Sequence, residues 1–554
     1  MKKNKYLLLI SSLGVSALLI WAAIDENYLR DWRRIQSSAL AAGDAGEIHL
    51  RQIVVPALRT TDRCVSCHIG MAPGANSVAV NSLLAPHPRI AHDPGQYGCT
   101  PCHGGQGRAT EKADAHGDSP FWPEPMLPRP YTSAGCGTCH NHARVPDLAG
   151  LEAGERQLER ADCLACHRID GRGGTQRPGG AGGMEGPDLS QVGAGGWRTD
   201  WYERHLDQQQ RATSGAWKTS FGPLEPAARA QLEQFLATRV GAPDLMQAKA
   251  LFHSLGCRGC HKVHGVGGDD GPDLSLVGMK DVHRLDCTHV SGAHTLPNWL
   301  AAHSRWPARI VPGSKMPVLG LSDDQIDQLT LYMLSLRDSE FPEAFWPTDR
   351  VRINRLGDRE FAADGRTLYQ TFCTACHGDA GNGQRFPDNP PFPAIGHADF
   401  LAVASDAFLV RTITEGRPGR RMPAWNETAG GLRDDEIARI VQHMRGLSGT
   451  AAPVDPRPER RWVQADAAAG QAKYATLCAG CHGSQGEGTQ APELRNASFL
   501  AAASDTYLVE TLRRGRSGTP MPGFARGSTT FPALSPQDIE SIVAFIRTWE
   551  DKGP

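Results

Sequence analysis

The sequence predicts a mainly α-helical chain with high loop content: one apolar N-terminal helix, a short loop-wrapped module, and four small helical units in tandem. Three observations lead there. Tyr6 to Ile24 carries no charged residue. The pattern Cys-x-x-Cys-His occurs seven times, with three copies crowded before residue 145 and four spread over the remainder. The second half of the chain repeats itself, and each repeat closes on apolar residues at helical spacing. The 61 glycines and 39 prolines among 554 residues account for the loops. The boundaries expected are 1–24, 25–145, 146–240, 241–340, 356–450 and 462–554.

The first element reads Met1-Lys2-Lys3-Asn4-Lys5, then an uncharged run over 6–24. That run is long enough to cross a bilayer as a helix, which takes about 20 residues. Its basic flank would stay cytoplasmic and everything after Asp25 would lie outside. A cleaved signal peptide is the alternative, but its apolar core is usually shorter, and Trp21-Ala22-Ala23-Ile24-Asp25 offers no convincing small-x-small site. The expected location is a bacterial inner membrane, with a single anchor in the lipid and the body in the periplasm. The body has 21% charged residues and a net charge of −2 without a basic run, so nucleic acid is not an expected partner.

The seven motifs are Cys64-Cys67-His68, Cys99-Cys102-His103, Cys136-Cys139-His140, Cys163-Cys166-His167, Cys257-Cys260-His261, Cys373-Cys376-His377 and Cys478-Cys481-His482. With 15 Cys and 21 His in the chain, chance gives on the order of 0.01 copies. The spacing reads as c-type haem attachment: two thiols form thioethers to the porphyrin, and the adjacent His reaches the iron. Zinc would need paired Cys knuckles and disulfides would not need the His. Seven covalent haem c groups are expected.

The repeats set the architecture of residues 150–554. Ala398-Asp399-Phe400-Leu401 and Ser405 to Leu409 match Ala497-Ser498-Phe499-Leu500 and Ser504 to Leu508, and Gly186 to Ser190 matches Gly271 to Ser275. Closing helices are predicted at Ile437, Ile440, Val441 and Met444, at Ile539, Ile542, Val543 and Ile546, and over about 225–238. Ser535-Pro536 is an N-cap followed by Pro at the first helical position. Helix, motif, loop, Met-Pro and closing helix together resemble class I cytochrome c, in four tandem units. Residues 50–145, with three close motifs and little apolar periodicity, resemble small multihaem cytochromes in which the chain wraps the haems.

These resemblances imply the sixth iron ligands. In the last three units they would be Met316, Met422 and Met521, each before Pro. The bland alternative is a core Met. Pro272 would accept from the imidazole N–H of His261 and orient the ring. The first three motifs have no such Met; His87, His92 and His116 are the expected distal ligands, with His142 in reserve. The fourth unit departs from the family. Its loop reads Ser220-Phe221-Gly222-Pro223, so the sixth position is empty or filled by Met184, His205 or a neighbouring module. His205 aligns with His303, where a Met is already available, which favours a structural role. Cys287, the fifteenth cysteine, reads as a small apolar residue in an insertion; a metal site with His283, His289 and His294 is the weaker reading.

The layout resembles multihaem subunits that accompany membrane cytochrome b in quinol-oxidising complexes. That implies electron transport in a respiratory chain, from a membrane cytochrome b or other quinol-oxidising subunit to a soluble cytochrome or a terminal reductase or oxidase. The rival is a multihaem redox enzyme, peroxidase- or nitrite-reductase-like, with an open haem at Cys163-His167. A sensor would need an output domain, and the motifs leave no residues for one.

Overall fold

The Tyr6–Ile24 run lies within a helix, α1 (Lys2–Ile24), whose side chains are exposed and which is long and apolar enough to cross a membrane. The computed structural model describes residues 2–41, 47–72, 85–88, 90–174, 186–212, 224–338, 341–387, 389–453, 457, 459–528 and 530–551. The chain divides into two units: Met1–Asn141 with Gly278–Leu285 and Leu334–Pro347, and His142–Val277 with Asp286–Met333 and Thr348–Pro554.

In the first unit α1 runs through a π-helical turn, Asp25–Leu29, into α2 (Asp31–Ala41). A hairpin follows, with β1 (Ile53–Val55) antiparallel to β2 (Thr60–Asp62) and Ile53 opposite Asp62. Ile53, Val55, Leu58 and Val65 form a small core with Tyr97, Phe341 and Phe345. The buried Asp62 carboxylate accepts from the Cys99 and Thr100 amides and the Thr100 hydroxyl, tying the hairpin to the second motif. Between residues 90 and 141 the described helices are turns of four to eight residues, too short to bury an apolar stripe of their own.

The second unit is built on crossed helix pairs. Helix α3 (Leu148–Arg160) packs on α5 (Pro226–Ala237) around Leu151, Leu158, Leu232 and Phe235, with α4 (Thr199–Ala212) beside them. Helix α6 (Pro243–Ser254) is buried for most of its length, and α7 (Leu296–Arg305) follows it. Helix α8 (Gly365–Phe372) crosses α10 (Asp434–Ser448), and α11 (Ala467–Leu477) crosses α13 (Pro536–Asp551). A glycine sits at each crossing. A Cβ on Gly154 would lie 2.4 Å from Gln231 O, on Gly365 2.3 Å from Arg439 O, and on Gly470 1.9 Å from Ser541 O. Backbones this close require hydrogen at those positions.

The closing helices bury the residues the spacing singled out. Ile437, Ile440, Val441 and Met444 are at most 4% exposed, as are Ile539, Ile542, Val543 and Ile546. Each such side chain is worth about 1.5–3 kcal/mol when fully buried. Ser535 caps α13 by accepting from the Asp538 amide while Asp538 accepts from the Ser535 amide. The last two repeats share one core. There Phe408 stacks on Tyr507 at 4.4 Å, and α9 (Asp406–Glu415) and α12 (Asp505–Arg514) carry these rings. Arg417 of one repeat covers Phe499 of the other, and Arg516 covers Phe400 in return.

Candidate haem centres

Each motif folds as a single helical turn. The His amide donates to the first Cys carbonyl at His68, His103, His167, His261, His377 and His482, over 2.8–3.0 Å. Residues i, i+3 and i+4 of one turn share a face, so the two sulfurs and the imidazole point the same way. None of the fifteen cysteines is joined to another in a disulfide. Burial raises those of Cys67, Cys163 and Cys478 to about 11.

The expected distal histidines face proximal ones. The ring centroids of His87 and His103 lie 6.0 Å apart, and those of His92 and His140 lie 6.2 Å apart. Two imidazoles on one metal, with each nitrogen about 2.0–2.1 Å from it, have centroids about 6 Å apart. The donor pairs therefore fit a bis-His haem iron. His87 is held by its own loop, with Nδ1 2.7 Å from Pro88 O, which turns Nε2 outward. His116 lies near His68, whose imidazole is held below its ordinary value first by burial and then by His116. His142 goes elsewhere: its Nε2 is 3.0 Å from the Asp349 carboxylate.

In the four later motifs each proximal ring is oriented through Nδ1. His167, His261, His377 and His482 contact the carbonyls of Pro187, Pro272, Pro393 and Pro492 at 2.8–2.9 Å. This fixes the tautomer and frees Nε2 for the metal. The sequence reading named Pro272 alone. Pro187 was legible from the shared Gly-Pro-Asp-Leu-Ser segment, whereas Pro393 and Pro492 follow their histidines by 16 and 10 residues with no common context. Gly186 and Gly271 lie against the rings, where a Cβ would come within 2.3 Å of His167 and 2.4 Å of His261.

Met422 and Met521 sit against the shared core that also holds Cys373 and Cys478. Their loops are closed by Arg417 and Arg516 amides donating to the Met422 and Met521 carbonyls at 2.8 and 3.1 Å. The Met316 amide donates to Ser314 Oγ at 3.3 Å, and the residue is half-buried. Met184 and the Ser220-Phe221 loop lie outside the described residues. Among the described residues no cluster of three metal-binding side chains forms, at Cys287 or elsewhere.

Motifs also touch one another within each unit. The first two motifs meet at Cys64 and Cys99, and a Cβ on Gly135 would strike Cys102 O. In the second unit Cys260 and Cys376 lie side by side, and Gly256 lies on the Ala375 amide. A cluster absent from the sequence reading supports this second junction. Glu360 accepts from Lys249 and from Arg258, which lies inside the fifth motif, with His264 beside them.

A family model described as cytochrome c oxidase, cbb3-type, subunit III matches residues 360–444, and one described as cytochrome c matches 245–337 and 467–550. Among curated relatives, the cbb3-type cytochrome c oxidase subunit FixP of Bradyrhizobium diazoefficiens is 29% identical over 196 residues, 34% of this chain and 60% of that protein. Subunit CcoP of Azospirillum sp. (strain B510) is 30% identical over 202 residues, 33% of this chain and 60% of that one. The chain thus spans about 60% of the length of these relatives. A solved reducing HAO-like protein complex of Kuenenia stuttgartiensis is 20% identical, over 33% of this chain and 94% of that chain, at a TM-score of 0.23, a likeness too slight to bear on the fold. With cytochrome c models on three of its repeats and haem-attachment turns throughout, the chain is a multihaem c-type cytochrome, an electron-transport protein that binds haem c covalently.

Proposed function

We propose that this chain is a membrane-anchored periplasmic heptahaem conduit. It would take electrons from a membrane cytochrome b or other quinol-oxidising subunit and deliver them to a soluble cytochrome or a terminal reductase or oxidase. The observation that carries the reading is the pairing of imidazoles at 6.0 and 6.2 Å in the first unit, together with motif-to-motif contacts in both units. Iron with two protein ligands passes electrons and has no position for substrate. His87, His92 and His116 would complete low-potential centres, and Met316, Met422 and Met521 high-potential ones, because a thioether raises the potential. The boundaries 25–145, 146–240, 241–340, 356–450 and 462–554 would each hold their own motifs. Relatives named as cbb3 oxidase subunits favour a terminal oxidase as one partner. α1, exposed and apolar, would hold the chain in the inner membrane.

The experiment is a haem count on mature full-length protein by intact mass and pyridine haemochrome. Seven covalent haems are expected; six or fewer would refute the assignment of every motif. A second reading, an enzyme with an open fourth haem, rests on one feature: no Met occurs between residues 185 and 245.

A further inference from the structure

We infer that His205 is the sixth ligand of the iron held by Cys163, Cys166 and His167, so that the fourth centre is a bis-His site inside a cytochrome c-like unit. The inference rests on the fourth motif being haem-bound. Three observations carry it. The unit has no Met after residue 184 before its closing helix α5 ends, so the usual ligand type is missing. Helix α4 supplies an imidazole instead. Trp201 and Leu206 on that helix pack into the same apolar cluster as Cys163 and Leu164, bringing the helix onto the motif. His205 lies one turn after Trp201 on that helix and is partly buried. No hydrogen bond to the His205 ring is present among the described residues, although Trp201 stacks on it at 4.9 Å with planes 6° apart. The stack removes ring freedom and leaves the nitrogens unengaged.

On the other side, His167 is prepared for the same iron. Its Nδ1 contacts Pro187 O at 2.9 Å and Gly186 lies against the ring, which directs Nε2 to the metal. The sister unit is informative. There Trp299 stacks on His303 in the same way, at 5.0 Å and 4°, but Met316 follows. The stack alone therefore does not make a ligand. The missing Met distinguishes the fourth unit.

The test uses full-length protein shown to hold seven haems, so that a failure of the haem assignment is seen first and separately. Reduced protein is titrated with CO, and oxidised protein is examined for high-spin ferric signal and for the near-infrared Met–haem band. Wild type should bind no CO at the fourth centre. His205→Ala should bind one CO per seven haems and gain one high-spin ferric centre. His205→Met should either strengthen the near-infrared band or open a CO site. Wild type binding CO at one haem, unchanged in His205→Ala, would overturn the inference. So would a His205→Ala protein that remains fully low-spin and silent to CO. Should His205→Ala not mature, His205→Met decides alone: no change in either readout overturns the assignment.

Discussion

Replacing Glu360 by Gln should weaken the junction between the fifth and sixth haem units more than any surface change nearby. Glu360 lies 3.1 Å from Lys249 Nζ and 2.5 Å from Arg258. Both cations have no exposed side-chain surface, and Glu360 is 11% exposed. Burial alone would raise the carboxyl, but the two cations outweigh it and hold Glu360 well below its ordinary 4.5. Burial likewise pushes Lys249 below 10.5, more than Glu360 restores. An amide keeps the shape and removes the charge, so two buried cations lose the counter-ion they share. Breaking a buried pair in this way costs about 3–5 kcal/mol. At about 2–4 °C per kcal/mol for a domain of this size, the melting transition should fall by roughly 6–20 °C. Calorimetry on holoprotein at pH 7 measures this. Since the carboxyl is depressed in the folded state, its stabilisation is fully present above pH 4.5 and is lost as pH falls through the lower folded value. The gap between wild type and Glu360→Gln should therefore be constant from pH 5 upward and close in stronger acid. A shift under about 1 °C, or a gap that widens in acid, would refute the charge argument.

Changing Met422 or Met521 to His should each lower one haem's potential, by part of the about 0.8 V range that axial ligands span, and should reduce the near-infrared Met band. Spectroelectrochemical titration reads this, and an unchanged titration in both variants would remove the ligand role. Full-length protein should stay with membranes through high-salt washing, because α1 is held by apolar burial. Deleting residues 1–24 behind a cleavable signal should release soluble, haem-loaded protein. Natural protein beginning near Asp25 would instead show that the segment is cleaved.

What the sequence made legible was local. A Cys-x-x-Cys-His turn is complete within five residues, and the α10 and α13 faces repeat within two turns, so motif spacing and period sufficed. His87 was legible as a candidate from its place before Pro88. Which proximal ring it meets was not, since His103 is brought to it by a turn around Pro94 to Tyr97 whose geometry no pattern encodes. Glu360 carries no signature at all. Its partners lie 111 and 102 residues away, and a lone Glu before Phe361 reads as solvated. His205 was read as structural because the aligned His303 has Met316 to spare. The departure between the two units, a missing Met, is what sets His205 apart from His303.

The long-range contacts invisible to pattern are also the ones that hold the repeats to one another. Arg258 stands between Cys257 and Cys260, and its partner Glu360 leads into Phe361, whose neighbours Glu360 and Ala362 bridge to Val145 at 3.3 and 3.0 Å. One carboxylate thus fixes the fifth motif to the start of the sixth repeat, which is bridged in turn to Val145 ahead of the fourth. The sixth and seventh repeats are joined differently, by reciprocal Arg417 and Arg516 contacts on Phe499 and Phe400 beside the two Met loops. The fifth and sixth motifs therefore meet directly, with Gly256 on the Ala375 amide, whereas the sixth and seventh repeats meet beside their Met loops. With haem on each motif as proposed, the sixth unit would join its two neighbours through different faces, an arrangement suited to a linear relay of one repeated domain.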